Sequence, residues 1–182
     1  MAWIIGKKLE MTRIIKGDKL VPVTLIKIPE LKVAQVKTVE TDGYEAVAIE
    51  MVECGTIREV PATWALKDLK KWDAVTLDIL EWIEEVKVIW VSKWKGFAWA
   101  MKRHNFSWGP GRVWSKFHRA LGSIGNRKPR RTKPGQKMHW HMGLDQVTLK
   151  HVPLELVNKN INVIAVKGPV PGARNSLIVL NF

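Results

Sequence analysis

At 182 residues the chain accommodates one domain with a sizeable core, or one domain and an extended appendage, and 46% hydrophobic with 26% charged residues excludes disorder over its whole length. The net charge of +13 is extreme and unevenly placed. Between Glu85 and Asp145 there is no acidic residue, yet this 59-residue window holds 14 of the 30 Lys and Arg and four of the five His, leaving 16 basic against 17 acidic residues elsewhere. Such a block repels itself unless an anion neutralises it, so a polyanionic partner is expected.

In chain order, the opening "MAWIIGKKLEMTRI" has too short an apolar run before its charges for a secretory signal, and no stretch approaches the roughly 18 apolar residues that span a bilayer. "LVPVTLIKI", "LKVAQVKTV" and "YEAVAIEMV", between Leu20 and Val52, are rich in Val, Ile and Thr and read as strands. Pro29 and Glu30 separate the first two, and "TDGY" (Thr41 to Tyr44) predicts an Asp-Gly hairpin turn. Cys54 is the single cysteine, which excludes an internal disulfide and a multi-thiolate metal site and suits a reducing compartment. It has no nearby base and is expected to be a small buried residue rather than a nucleophile.

A short helix is predicted around Thr63 to Lys71, behind Pro61. Further strands are predicted at Asp73 to Leu80, Val86 to Val91, Gln146 to Val152, Ile161 to Gly168 and Ser176 to Phe182. Many short strands with Gly and Pro turns make the protein mainly β, a barrel or a sandwich. The basic segment interrupts this series with one helix-compatible piece, Gly96 to Asn105, and then Gly and Pro too frequent for regular structure.

In that segment, basic residues alternate with Gly, Pro, Ser and His rather than with apolar faces. Lys and Arg neutralise phosphates, glycine permits close backbone approach, and aromatic rings stack on bases, so RNA binding is the expected role. A solvated charge run is the plainer alternative, and the complete lack of carboxylates weighs against it. The candidate RNA contacts are Lys93, Lys95, Lys102, Arg103 and His104 at the base, then Arg112, Lys116, His118, Arg119, Arg127, Lys128, Arg130, Arg131, Lys133 and Lys137, with Lys7 and Lys8 as a second small basic site.

"IIGKKLEMTRI", "SKWKGFAWAMKRHNF", "SKFHRALGSIG", "GQKMHWHMG" and "VKGPVPGARNSLIVL" together resemble the bacterial form of the ribosomal protein L-three family, the universal third protein of the large ribosomal subunit, from the first residues to the last. The resemblance implies a closed β-barrel like that of translation factors, formed by residues 1–91 and 145–182 with a small insertion near 53–72. It also implies a long, basic, largely irregular extension, residues 92–144, containing a short helix. The implied role is binding, without catalysis, cofactor, metal, membrane or small-molecule substrate. The partners would be large-subunit rRNA and neighbouring ribosomal proteins in the cytoplasm. The extension would reach toward the peptidyl transferase centre and support early subunit assembly.

Within the family's signature Ser92, Lys95, Gly96 and Arg103 match, whereas Trp90, Trp94 and Trp99 replace one small residue and two glycines, and Lys87 replaces an acid or amide. Trp3, Trp72, Trp82, Trp108, Trp114 and Trp140 also stand where the resemblance implies glycine, as does Glu10, while Trp64 is not alignable. Ten Trp beside one Tyr and four Phe is an odd aromatic balance. The expectation is that the gene's UGA codons specify glycine and are rendered here as tryptophan. The rival is that these indoles are real and stack on bases.

Four other patterns are weaker. Glycine at positions 94 and 99 would create a G-x-G-x-x-G pattern, but the acid required about 20 residues later is missing. His118, His139 and His141 have no accompanying carboxylate or thiolate and read as RNA-facing or solvated rather than metal ligands. Membrane-surface binding would need a continuous amphipathic helix, which the Gly and Pro between Gly109 and Gly135 oppose, and an RNA-processing enzyme would need a catalytic constellation that cannot be picked out.

Overall fold

The computed structural model describes residues 3–62, 66–80 and 82–182. The strands are β1 (Trp3–Lys16), β2 (Lys19–Lys27), β3 (Leu31–Lys37), β4 (Ala46–Met51), β5 (Thr56–Pro61), β6 (Glu85–Val91), β7 (Phe97–Ala98), β8 (Trp140–His141), β9 (Gln146–Asn158), β10 (Val163–Lys167) and β11 (Leu177–Asn181). Among the described residues two short helices, α1 (Val39–Asp42) and α2 (Ala100–His104), and a 3-10 helix at Leu77–Leu80 accompany the strands. The protein is mainly β, and it divides into two units, Met1–Ser92 with Gln146–Phe182, and Lys93–Asp145.

In the first unit six antiparallel strands close into a ring in the order β1-β11-β6-β9-β10-β2. Closure leaves none of the six as a free edge. β1 pairs with β11 over Trp3 to Lys7 and with β2 from Lys7 to Lys16, and the register shift between Lys8 and Met11 lets one strand serve both neighbours. Gly6 is required there: a Cβ would lie 2.5 Å from Ile26 Cγ2. Ile4, Ile26, Val88, Ile164, Ile178 and Leu180 are buried, each contributing roughly 1.5–3 kcal/mol by leaving water. The buried Thr24 hydroxyl donates to the Gly168 carbonyl at 2.6 Å.

The same unit carries a three-stranded sheet, β3-β4-β5, whose Val33, Val47, Ile49 and Met51 join the core cluster. Lys37 on β3 donates to Glu59 on β5 and to the Tyr44 hydroxyl at 2.8 Å, and that hydroxyl donates to the second Glu59 oxygen at 3.0 Å. Hydrogen bonding to Lys37, then to Tyr44, holds the Glu59 carboxyl below the usual carboxylate range, and the Lys37 ammonium is raised in return, chiefly by Glu59.

Several expectations are corrected. Asp73 to Leu80 is no strand: Ala74 makes one bridge to Lys32, and Leu77 and Leu80 are buried together on the 3-10 helix. Their three-residue spacing suits that helix, whose side chains eclipse at i and i+3. "TDGY" does not form a two-residue primed turn. Val39–Asp42 makes a single helical turn, and Gly43 at φ +81° caps it, its N–H donating to the Val39 carbonyl at 3.1 Å.

Of the helix predicted at Thr63 to Lys71, residues 63–65 lie outside the described residues. Leu66 onward forms turns, in which the Lys70 amide donates to the Asp73 carboxylate at 2.7 Å. Cys54 is exposed rather than buried, because it sits in the turn joining β4 to β5, with its sulfur 3.1 Å from both Met51 Sδ and Thr56 Oγ1. β1, β5 and the two-residue β7 and β8 lie outside the predicted strands.

Candidate nucleic-acid interface

The second unit, Lys93–Asp145, contains 13 Lys and Arg and a single acid, Asp145. Its ordered base is built by main-chain pairing. β7 meets β8 through Phe97↔His141 and Ala98↔Trp140, and the amides of Lys95 and Met142 donate to the Met142 and Gly96 carbonyls, both at 2.9 Å. Gly143, at φ +90°, closes this base: a Cβ there would lie 2.1 Å from the Lys93 carbonyl oxygen and 2.9 Å from Trp94 Cα. Of the predicted helix Gly96 to Asn105, only Ala100–His104 is helical, because Phe97 and Ala98 go to β7 and Asn105 turns left-handed at φ 57°. Lys102, Arg103 and His104 fill the last turn of α2, where cations favour the free carbonyls.

The candidate residues divide into two groups. Arg103 and His104 are half-buried and turned inward: Arg103 donates to the Met138 carbonyl at 3.0 Å, and His104 Nε2 lies 3.1 Å from the same oxygen. Lys93, Lys95 and Lys102 are exposed, as are Arg112, Lys116, His118, Arg119, Arg127, Lys128, Arg130, Arg131, Lys133 and Lys137. From Asn105 to His139 there is no helix or strand. The chain folds back once, where the Gly109 amide donates to the His118 carbonyl at 3.0 Å and a Cβ on Gly109 would fall 1.9 Å from the Phe117 oxygen.

Lys7 and Lys8 lie apart from these, on β1, both half-buried, and the Lys8 ammonium donates to the carbonyls of Val170 and Gly172, the latter at 3.1 Å. The Met138 carbonyl that holds Arg103 and His104 is a component that sequence reasoning missed. A main-chain oxygen 35 residues from Arg103 leaves no signal in a side-chain pattern.

Phe97 lies 5.5 Å from His139, and Trp94 lies 5.1 Å from His141, centroid to centroid, making a small aromatic surface at the β7–β8 ladder. Only Ala98 and Ala100 are buried in this unit, and the hydrophobic core cluster includes none of its residues. Among the described residues no group of three His, Cys, Asp or Glu is arranged to hold a metal ion, and no helix is long and apolar enough to cross a membrane.

A mainly β unit of nearly balanced charge is thus joined in the chain to a polycationic unit without an apolar core. No family model matches the chain. It is similar to large ribosomal subunit protein uL3 of Thermosipho melanesiensis, 38% identical over 99% of this chain and 97% of that one. The proteins of the same name from Solibacter usitatus, 38% identical over 97% and 96%, and Deinococcus radiodurans, 36% identical over 99% and 94%, are comparably similar. The chain belongs to the family of large ribosomal subunit protein uL3.

Proposed function

We propose that this protein is a structural constituent of the large ribosomal subunit that binds large-subunit rRNA through the basic segment 92–144. The observation that carries the reading is the pairing of charge with missing core. Thirteen cations, one carboxylate and two buried alanines cannot offset the conformational entropy of ordering the Lys93–Asp145 unit, whereas RNA supplies the counter-charge and the surface. Residues 1–91 and 145–182 would form a translation-factor-like barrel at the subunit surface, suited by their balanced charge, with a small insertion near 53–72. The extension would reach toward the peptidyl transferase centre without taking part in its chemistry, and would act early in subunit assembly beside neighbouring ribosomal proteins in the cytoplasm.

Exposed Lys and Arg from Arg112 to Lys137, with Lys93, Lys95 and Lys102, would meet phosphates. Arg103 and His104 would fix the base, and Lys7 and Lys8 would add a minor contact. Limited proteolysis tests this reading. Without RNA, cleavage is expected between Lys93 and His141 while the ring survives, and rRNA should protect the segment. A segment resistant without RNA would contradict it.

A further inference from the structure

Nine of the ten tryptophans lie among the described residues, and none is fully buried, Trp3 and Trp90 being half-buried against the core cluster. Seven are largely exposed, from 52% at Trp94 to 101% at Trp114. Tryptophan is ordinarily a highly buried residue, because its ring brings more apolar surface than any other side chain. Two of the nine, moreover, occupy backbone that bulky residues avoid: Trp72 has φ 77° and Trp114 has φ 54°. At such angles glycine is the default, since a Cβ crowds the adjoining peptide.

Base stacking does not account for this set. Trp82 is 89% exposed beside Glu84 and Glu85, whose carboxylates repel phosphate, and Trp72 is in the same charge-balanced unit. A stacking surface also has no need of ten Trp against one Tyr and four Phe, since every aromatic ring serves. Where the exposed indoles meet a ring or a cation, the partner is itself exposed: Trp94 meets His141, Trp99 meets His139, Trp108 meets Arg119 and Trp72 meets Lys71. At Trp94 the main chain runs close beneath Gly143, and Trp99 directly precedes α2.

We propose that the protein as made in its own cells carries glycine at these tryptophans, its ribosomes translating UGA as glycine. A single codon assignment then accounts for the unburied indoles, for the left-handed Trp72 and Trp114, and for the aromatic imbalance. The consequence at the RNA-facing segment is chemical. Trp94, Trp99, Trp108, Trp114 and Trp140 become bare backbone, whose amides and carbonyls can approach phosphate and ribose directly.

The test is peptide mass mapping of total protein from the native source, together with the codons at Trp72 and Trp114. Use of total protein separates this proposal from the ribosomal reading. Expected are peptides lighter by the difference between the two side chains at each position, UGA in the gene, and a purified native protein whose near-ultraviolet absorption is that of Tyr44 without the indole contribution of these sites. Tryptophan masses at Trp72 or Trp114, or UGG codons there, would overturn the proposal whether or not the protein is found in ribosomes.

Discussion

Replacing Arg127, Arg130 and Arg131 together by Gln should flatten the salt dependence of RNA binding. All three are exposed, and no ion pair holds any of them among the described residues, so each is available to a phosphate. Every phosphate neutralised contributes about 0.7 (single strand) to 0.9 (duplex) to the slope of log affinity against log salt, so the triple variant should be shallower by about 2 to 3 units. Between about 50 and 200 mM salt, the affinity of the parent chain should then fall some 20- to 40-fold more than that of the variant. Fluorescence anisotropy with a labelled large-subunit rRNA fragment measures both slopes. Lys16→Gln is the control, because Lys16 is paired to Glu155 at 2.8 Å in the first unit. Parallel lines for the triple variant and the parent would refute the argument that this segment neutralises phosphate.

Three further outcomes are expected. Gly6→Ala places its methyl against Ile26 and should cost about 1–3 kcal/mol, read from the urea midpoint of the ring, and an unchanged midpoint would count against the close packing described. Arg103→Ala removes one of the ties to Met138 and should speed hydrogen exchange at the Lys95 and Met142 amides, while lowering the salt slope less than loss of an exposed Arg does. Glu59, whose folded value lies below its unfolded one, contributes stability that is present above the unfolded value and lost as pH falls through the folded value. Glu59→Gln should therefore remove part of the acid-side loss of stability measured by denaturant titration from neutral pH downward, and an identical pH profile would exclude the Lys37 pair as its source.

Strands rich in β-branched residues were legible: β2, β3, β4, β6, β9, β10 and β11 lie where Val, Ile and Thr concentrate. β1 was not, because "GKKLEMTR" shows no clean alternation, and its pairing depends on a register shift and on partners at both ends of the chain. β5, "TIREVP", is short, interrupted by Arg58 and Glu59 and closed by proline, and it is held by six paired positions along β4. Asp73 to Leu80 misled because its apolar residues fit alternation as well as the three-residue spacing that burial selected. In the basic segment, the charge distribution picked out the cations that the structure leaves exposed. The inward turn of Arg103 and His104 depends on a distant carbonyl, and composition cannot show it.

The chain leaves β6 at Val91 and re-enters β9 at Gln146, and these two residues are register partners across the ladder. Loop-closure entropy grows only as the logarithm of length, so exchanging the intervening chain of about 50 residues for a four-residue turn should stabilise the ring by only about 2 kcal/mol, and doubling its length should cost about 0.6 kcal/mol. As far as the ring is concerned, the span of the inserted chain is almost a free variable. Out and back, it can extend at most about 90 Å. Its length can accordingly vary with little penalty to the domain that anchors it.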